Sequence, residues 1–525
     1  MECSQFVWTL MAIVTTSTVE SANILAIFPS ASYSHQMPFL AITRSLAQRG
    51  HNLTVITPNP SKEPIPNHTD IDISFTYNFW KAKGNETPLI NLQETQSSFQ
   101  ILRLFANIAY TVLETQFNST PVQDFVKYLD KEKPTFDLLL YEKIMHTGYL
   151  GILPKIGHPP SIAILTLPLP CVLDSSLGYM CNPAVVPENM LMGFTNKMTF
   201  WERLQNHLFI FMMHIYLNTH VMKGQNELAR KYFGHTGEPT LQEMDRNKSL
   251  LMMTNSWLYQ YPRPVFPNTI NVGPTHIGDP KPLPEDLATW IEGAEKGVIY
   301  FSLGTNLRSS SLDESKRSAI LTTLDKFPQY RIIWKWEEEQ LPGLPSNVIC
   351  RKWLPQQDLL AHPNVKLFIM QGGLQSLQEA VYFEVPMIGI PFFGDQEYNV
   401  KIIKNLGVGS YIDYDSINNE NFYNLMKEIL YNRSYMDTVK RISALSKTQM
   451  MSPRDTAVWW IEYVLKSGGN LRHLQPDHWD MPWYQYFGVD VYFVLLSPVI
   501  LILYGIFKII CRCRRMPRVE KLKKS

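Results

Sequence analysis

The chain lacks a surplus of charge of either sign. Its 525 residues carry 48 Lys and Arg against 47 Asp and Glu, a formal net charge of +1. A nucleic-acid binder needs a basic excess to meet phosphates, so composition gives no support for that partner. Cysteine is scarce, with six in all. Cys3 lies in an apolar leader, and Cys511 and Cys513 border the last apolar run, where palmitoylation would be in keeping. That leaves Cys171, Cys181 and Cys350, an odd number that cannot close a disulfide framework. Cys171 and Cys181 either bridge or stay as free thiols. No Cys/His cluster has zinc spacing, and no short-period repeat occurs. Paired carboxylates are few as well. Asp70-Ile-Asp72 and Asp413-Tyr-Asp415 read as solvated loop charges, so no metal site and no facing pair for glycoside hydrolysis is expected.

Long apolar runs occur only near the two ends. Phe6–Val14, followed by small residues to about Ser21 or Ala22, has the form of a secretory signal, although acidic Glu2 replaces the usual basic start. Val491–Phe507 is 17 residues without a formal charge, the lower limit for a spanning helix, and Lys508 can snorkel to extend it to Cys511. Arg512, Arg514, Arg515, Arg518, Lys521, Lys523 and Lys524 follow, which places the tail in the cytoplasm and the body in the lumen. The terminal Lys521-Leu-Lys523-Lys-Ser525 resembles a dilysine address for the endoplasmic reticulum. A single-pass type I protein of that membrane is expected. Sequons at Asn52, Asn67, Asn85, Asn118, Asn247 and Asn432 all fall on the lumenal side.

Between the ends the pattern is αβ. A strand at Asn23–Phe28, a loop, a helix from about Pro38 and a strand at Leu53–Thr57 open one Rossmann-like sheet. Strands at Phe136–Tyr141, ending at Glu142, and at Ile162–Leu165 continue it. Prolines crowd Tyr261–Pro284 and mark a linker, after which Val298–Leu303 opens a second sheet. The expected division is 1–22 signal, 23–270 first domain, 271–285 linker and 286–485 second domain with returning helices. A spanning helix at 491–511 and a tail at 512–525 complete it. Met198–Val221 is apolar but broken by charge and His. It reads as a buried helix over an apolar pocket or as one dipping into a membrane face.

The segment FIMQGGLQSLQEAVYFEVPMIGIPFFGDQ holds a strand, a Gln-Gly-Gly turn, a helix and a second strand. Such a turn aims backbone N–H groups and a helix N-terminus at one spot, which suits an anion. Its glycines match neither GxGxxG nor GxxxxGK[ST], so no dinucleotide or Walker site is expected. With the preceding Trp353-Leu-Pro-Gln-Gln357, the whole run closely resembles the signature of UDP-glycosyltransferases. IFPSASYSHQMPF, IYFSLGTN and the terminal apolar helix extend the resemblance over nearly the whole chain, with membrane-bound animal enzymes, insect ones above all, as the nearest pattern.

The resemblance implies a GT-B fold: two Rossmann-like domains facing a cleft, acceptor bound by the first and UDP-sugar by the second. It implies a UDP-sugar as co-substrate, no further cofactor and no metal. Trp353 would stack on uracil, the Gln356 amide would pair with base or ribose, and Glu379 would accept ribose hydroxyls. Ser302, Gly304, Thr305, Gln371, Gly372 and Gly373 fall around the diphosphate, Gln375 among the UDP-sugar contacts, and Asp395 and Gln396 at the sugar hydroxyls. His35 takes the place of the general base, with Glu142 as its carboxylate partner. Two departures stand out. Gln371 replaces a common His, which weakens help to the leaving diphosphate. Thr254 stands where vertebrate glucuronosyltransferases have Arg, which favours UDP-glucose over UDP-glucuronate. The expected acceptor is a small lipophilic alcohol or phenol, and a homo-oligomer stays open. The competing reading is a non-catalytic lumenal membrane binding protein of the same fold, signalled by Gln371.

Overall fold

The computed structural model describes residues 21–79, 97–178, 181–476 and 481–514. Leader residues 1–20, Asn85 and the basic residues beyond Arg514 lie outside them. Short apolar runs fold as strands. In the first sheet these are β1 (Asn23–Ile27), β2 (Asn52–Thr57), β3 (His68–Asp72), β4 (Leu138–Glu142), β5 (Ser161–Leu165), β6 (Leu250–Met253) and β7 (Thr269–Asn271). Their spatial order is β3-β2-β1-β4-β5-β6-β7, with parallel pairing throughout. The second sheet holds β8 (Val298–Ser302), β9 (Arg331–Lys335), β10 (Val348–Arg351), β11 (Val365–Met370), β12 (Met387–Gly389) and β13 (Gly409–Tyr411). Its order is β10-β9-β8-β11-β12-β13, again parallel.

A parallel sheet must be covered on both faces, and strand alternation divides each strand between two cores. Leu25 and Ile27 of β1 join one cluster, while Ile24 and Ala26 join another across the sheet. In β8, Ile299 and Phe301 face one core, Val298 and Tyr300 the other. Each sheet reverses its winding beside its first strand, between β1 and β4 and between β8 and β11. Open α/β sheets bind ligands at that crevice, outside the strand C-termini. The helix Pro453–Lys466 returns to the first sheet, where Ala457, Val458 and Ile461 pack with Ile24 and Ala26. Arg49 pins it at 3.3 Å from Glu462.

Several expectations change. The first helix runs Tyr33–Gln48, so His35 sits in its first turn rather than in a loop before Pro38. Gln36 explains the earlier start. Its amide nitrogen donates to Phe28 and Ser30 carbonyls at 3.0 and 2.8 Å, and its oxygen accepts from Thr57 Oγ1, so the turn upstream of Pro38 is held by side-chain bonds. Asp70 and Asp72 lie on edge strand β3 and not in a loop; Asp70 accepts from Ser61 N and pairs with His68. Cys171 and Cys181 form a disulfide, and Cys350 is free. The apolar segment after Met198 is helix Phe200–Tyr216, a π-helical stretch Leu217–Val221 and helix Met222–Phe233. It is one-sided: Phe209 and Met213 are buried, whereas Trp201 and Phe211 are 69% and 65% exposed.

Residues 475–525 form a separate unit. Within it the helix Val489–Arg514 contains Val489–Arg512, with a mean hydropathy of 2.4, long and apolar enough to cross a membrane.

Candidate active site

A cavity of about 760 Å³ opens between the C-terminal ends of the two sheets. Among the residues singled out from sequence, His35, Thr305, Gln371, Gly373, Gln375, Asp395 and Gln396 line it. The two switch points therefore face one space.

On the first sheet, His35 follows β1 and Glu142 ends β4. Because β1 and β4 are hydrogen-bonded neighbours, the two side chains meet across 107 residues of chain. His35 Nδ1 lies 3.1 Å from Glu142 Oε1 and 2.9 Å from Thr166 Oγ1. Glu142 Oε2 accepts the Ser30 backbone N–H at 3.1 Å. Burial pushes the Glu142 carboxyl up, but the His35 hydrogen bond, the charges of His146 and His35 and the Ser30 bond outweigh it. The net shift is below the ordinary carboxylate range. An ionised Glu142 holds the proton on Nδ1, which leaves Nε2 as the acceptor nitrogen.

On the second sheet, Met370 of β11 pairs with Ser302 of β8, so the loops after both strands adjoin. Ser302 is buried and its Oγ accepts the Gly304 N–H at 3.3 Å. Gly304 has φ +81°, and a Cβ there would collide with Gln371 Nε2. The glycine thus makes room for the glutamine, whose Oε1 has no partner among the described residues. Gly372, at φ +95°, lets the backbone pass Val400, where a Cβ would stand 2.7 Å from Cγ1. Gly373 is the N-cap of helix Leu374–Tyr382 and provides no side-chain cap, so that N-terminus keeps its donors for an anion.

Further along, Asp395 sits at the start of helix Gln396–Leu406 and accepts from Asn399 Nδ2 at 2.8 Å. Burial raises its carboxyl above the ordinary range, against the pull of Asn399 and His35. Gln396 Oε1 accepts from Phe392 N and Phe393 N, which leaves its NH2 for the cavity it lines.

Trp353, 55% exposed, lies outside the cavity lining, in edge contact with Tyr33 at 5.1 Å. Gln356 departs from expectation. Both its amide donors are spent inside the protein, on Ser376 Oγ at 3.0 Å and Glu379 Oε2 at 2.7 Å, and its oxygen accepts from Tyr300 OH. Gln357 and His276 also approach Glu379, at 3.0 and 3.3 Å. A buried carboxylate needs such donors, so Gln356 braces Glu379 instead of presenting its own amide. Thr254 is buried at the end of β6 and does not line the cavity.

Residues unnoticed in the sequence complete the site. Thr166 and Ser30 fix the His35–Glu142 pair; Thr166 directly follows the strand run ending at Leu165, and Ser30 stands two residues past the one ending at Phe28. Contacts across the cleft add to them. Gln375 Nε2 donates to Thr166 O at 3.0 Å, Asn306 Nδ2 to Ser32 Oγ at 3.1 Å, and Lys401 bonds the Gly193 carbonyl.

Comparison with known proteins finds relatives over nearly the whole chain. A family profile described as "UDP-glucoronosyl and UDP-glucosyl transferase" matches residues 23–524. The chain is 34% identical over 521 residues to UDP-glucosyltransferase 2 of Dactylopius coccus, covering 97% of each chain. It is 28% identical over 500 residues to UDP-glucuronosyltransferase 2B9 of Macaca fascicularis, covering 92% of each. Among solved structures, a UDP-glucosyltransferase from Polygonum tinctorium capable of glucosylating indoxyl superposes with a TM-score of 0.55 at 15% identity. The match covers 85% of this chain and 99% of that one, a likeness of fold.

Proposed function

The chain belongs to the UDP-glucuronosyl and UDP-glucosyl transferase family, and from that premise we propose a metal-independent, inverting transfer of glucose from UDP-glucose to a small lipophilic alcohol or phenol. The observation that carries the mechanism is the His35–Glu142 pair beside the cavity. His35 Nε2 takes the acceptor proton as the oxygen attacks the anomeric carbon, and Glu142 balances the imidazolium. The C–O bond to UDP breaks as the new one forms, so an α-linked donor gives a β-glycoside. The uncapped helix at Gly373, with the Gln371 side chain beside it, takes the departing diphosphate.

Asp395 and Gln396 hold the sugar hydroxyls. Hydroxyl donors would ease the buried Asp395 carboxyl, and a uronate beside it would set two carboxylates together, which supports glucose. Trp353 offers a face to uracil and Glu379 a ribose contact. An intact base pair speaks against a purely binding protein. The lumenal, type I placement in the endoplasmic reticulum rests on the apolar helix at Val489–Arg514 and on the sequons, of which the five described are all exposed.

Incubation of the full chain with UDP-glucose and a simple phenol, in excess EDTA, should yield a β-glucoside. No product with any UDP-sugar would support the binding-protein reading. Loss of turnover in EDTA would refute metal independence, and preference for UDP-glucuronate would refute the donor.

A further inference from the structure

One helix of the second sheet is fastened to the first. Gln375 and Gln378 stand one turn apart on helix Leu374–Tyr382, whose uncapped N-terminus opens at Gly373. Gln375 Nε2 donates to the Thr166 carbonyl at 3.0 Å, and Gln378 Nε2 to the Thr254 carbonyl and to Asn255 Oδ1, both at 3.2 Å. Thr166 directly follows Leu165, the end of β5, and Thr254 directly follows Met253, the end of β6. Leu165 and Met253 are register partners. Three helical residues rise about 4.5 Å, close to the roughly 4.7–4.9 Å between neighbouring strands. One turn of the helix therefore spans two strand ends, with a glutamine for each. Gln375, Gln378, Thr166 and Thr254 are all buried, and carbonyls buried at strand ends need such donors.

Thr166 is also the second partner of His35. Its Oγ1 lies 2.9 Å from His35 Nδ1, beside Glu142 Oε1 at 3.1 Å. One acceptor alone would let the imidazole pivot about that bond, whereas two acceptors at one N–H fix the plane of the ring as well. Glu142 is held within the first sheet, by its place on β4 and by the Ser30 N–H. Thr166 is held from both sheets: the Leu165 carbonyl before it accepts the Thr254 N–H at 2.9 Å, and its own carbonyl accepts from Gln375. An amide grouped by sequence with the UDP-sugar contacts thus reaches across the cleft to the residue that orients the imidazole.

We propose that Gln375 is a positioning residue for His35, acting through Thr166, so that the imidazole is fully oriented only while the helix that receives the diphosphate is docked on the ends of β5 and β6. The proposal rests on the reading of His35 as the general base and of the helix N-terminus at Gly373 as the diphosphate site. An anion at that N-terminus steadies the helix, and the two glutamines pass the constraint to the first sheet. Activation of the acceptor is then strongest when the group to be displaced is held. Gln378 bonds the end of β6 and not Thr166, so it fastens the helix without bearing on the ring.

The test uses the full chain in detergent with UDP-glucose. Gln375→Met keeps the length of the side chain and removes the donor. Its kcat should fall about tenfold on an aliphatic alcohol and less than about twofold on para-nitrophenol, which is partly ionised and leans less on the base. UDP affinity, measured by competition, should hold. Thr166→Val should give the same fall in the alcohol-to-phenol ratio, and the double variant no further fall, because Gln375 acts through Thr166 Oγ1. Gln378→Met breaks the neighbouring contact without touching Thr166, so its ratio should stay at the wild-type value. Hydrogen exchange reads the same link without chemistry: saturating UDP should slow exchange in the peptide containing Thr166 in the wild type and not in Gln375→Met. Absent transfer with that protection in place would count against the proposed reaction while supporting the link from helix to Thr166. An unchanged ratio in Gln375→Met would overturn the proposal, and weaker UDP binding beside it would return the amide to the diphosphate. Additive ratio losses in the double variant, a fallen ratio in Gln378→Met, or equal protection in both proteins would overturn it as well.

Discussion

Glu142→Gln should cost more turnover than Glu142→Ala, although it is the smaller change. In the native site Oε2 accepts the Ser30 N–H at 3.1 Å while Oε1 faces His35 Nδ1 at 3.1 Å. The Ser30 N–H can only donate, so an introduced amide must turn its oxygen there and present its NH2 to Nδ1. The imidazole then accepts at Nδ1 and carries its proton on Nε2, the nitrogen that should take the acceptor proton. Loss of a positioned base costs roughly 10²–10⁴-fold, or about 3–5 kcal/mol, and Glu142→Gln should approach the value for His35→Ala. In Glu142→Ala, Thr166 Oγ1 at 2.9 Å can still accept from Nδ1–H and preserve the working tautomer. That variant loses mainly the charge-assisted bond, about tenfold to a hundredfold.

Initial rates with UDP-glucose on an aliphatic alcohol and on an acidic phenol would read these differences, with UDP affinity measured by competition. UDP affinity should hold in all three variants, because the pair lies on the first sheet and Trp353, Glu379 and Asp395 on the second. The deficits should shrink for the acidic phenol, which is partly ionised and needs less help. Higher activity in Glu142→Gln than in Glu142→Ala would refute the tautomer argument. Near-normal turnover of the alcohol by His35→Ala would refute the base itself.

Three further outcomes follow from the same geometry. Gln371→His should raise kcat about tenfold, because a partly protonated imidazole over Gly304 is a stronger donor to the leaving diphosphate than an amide; a fall at unchanged UDP affinity would count against that role. Glu188 is buried, and burial lifts its carboxyl from 4.5 to about 7 despite N–H bonds from Met190 and Leu191. The folded state holds the extra proton between those values, so stability should decline as pH rises from 4.5 to 7. Glu188→Gln, with one acceptor oxygen fewer, should lower Tm at acid pH yet flatten its pH dependence; parallel Tm curves would exclude the effect. Endoglycosidase should lower the apparent mass of the protein in permeabilised microsomes, while protease added outside sealed ones should remove only the tail; digestion of the body with a protected tail would reverse the topology.

How much of this was legible in the sequence depends on whether a feature is local to a strand end. Asn23–Phe28, Val298–Leu303 and Val365–Met370 were visible as buried parallel strands, because both faces need apolar side chains and the runs are short. Residues in the segments that follow such ends, His35 and Gln371 among them, are thereby placed at a cleft. Edge strand β3 escaped, because His68–Asp72 carries polar side chains and reads as a loop. The first turn of the His35 helix escaped too, since the Gln36 bonds to Phe28 and Ser30 are tertiary and Pro38 is a strong local start signal.

The harder failures concern polar side chains whose partners are distant in sequence. Gln356 looks like a ligand contact by motif, yet a buried Glu379, 23 residues on, claims its donor. Lys143 and Asp245 are 102 residues apart in sequence, and only the path of the chain after β5 brings them together. Glu142 escapes this problem because β1 and β4 are adjacent by topology, so the strand that presents the base also fixes the strand that presents its carboxylate. Parallel register therefore makes the His35–Glu142 contact readable, while the apolar walls of the cavity come from helices and loops that no strand register constrains. For the same reason, the proposed proton transfer at His35 can be argued from pattern, whereas the lining of the cavity beside it had to be read from side chains in place.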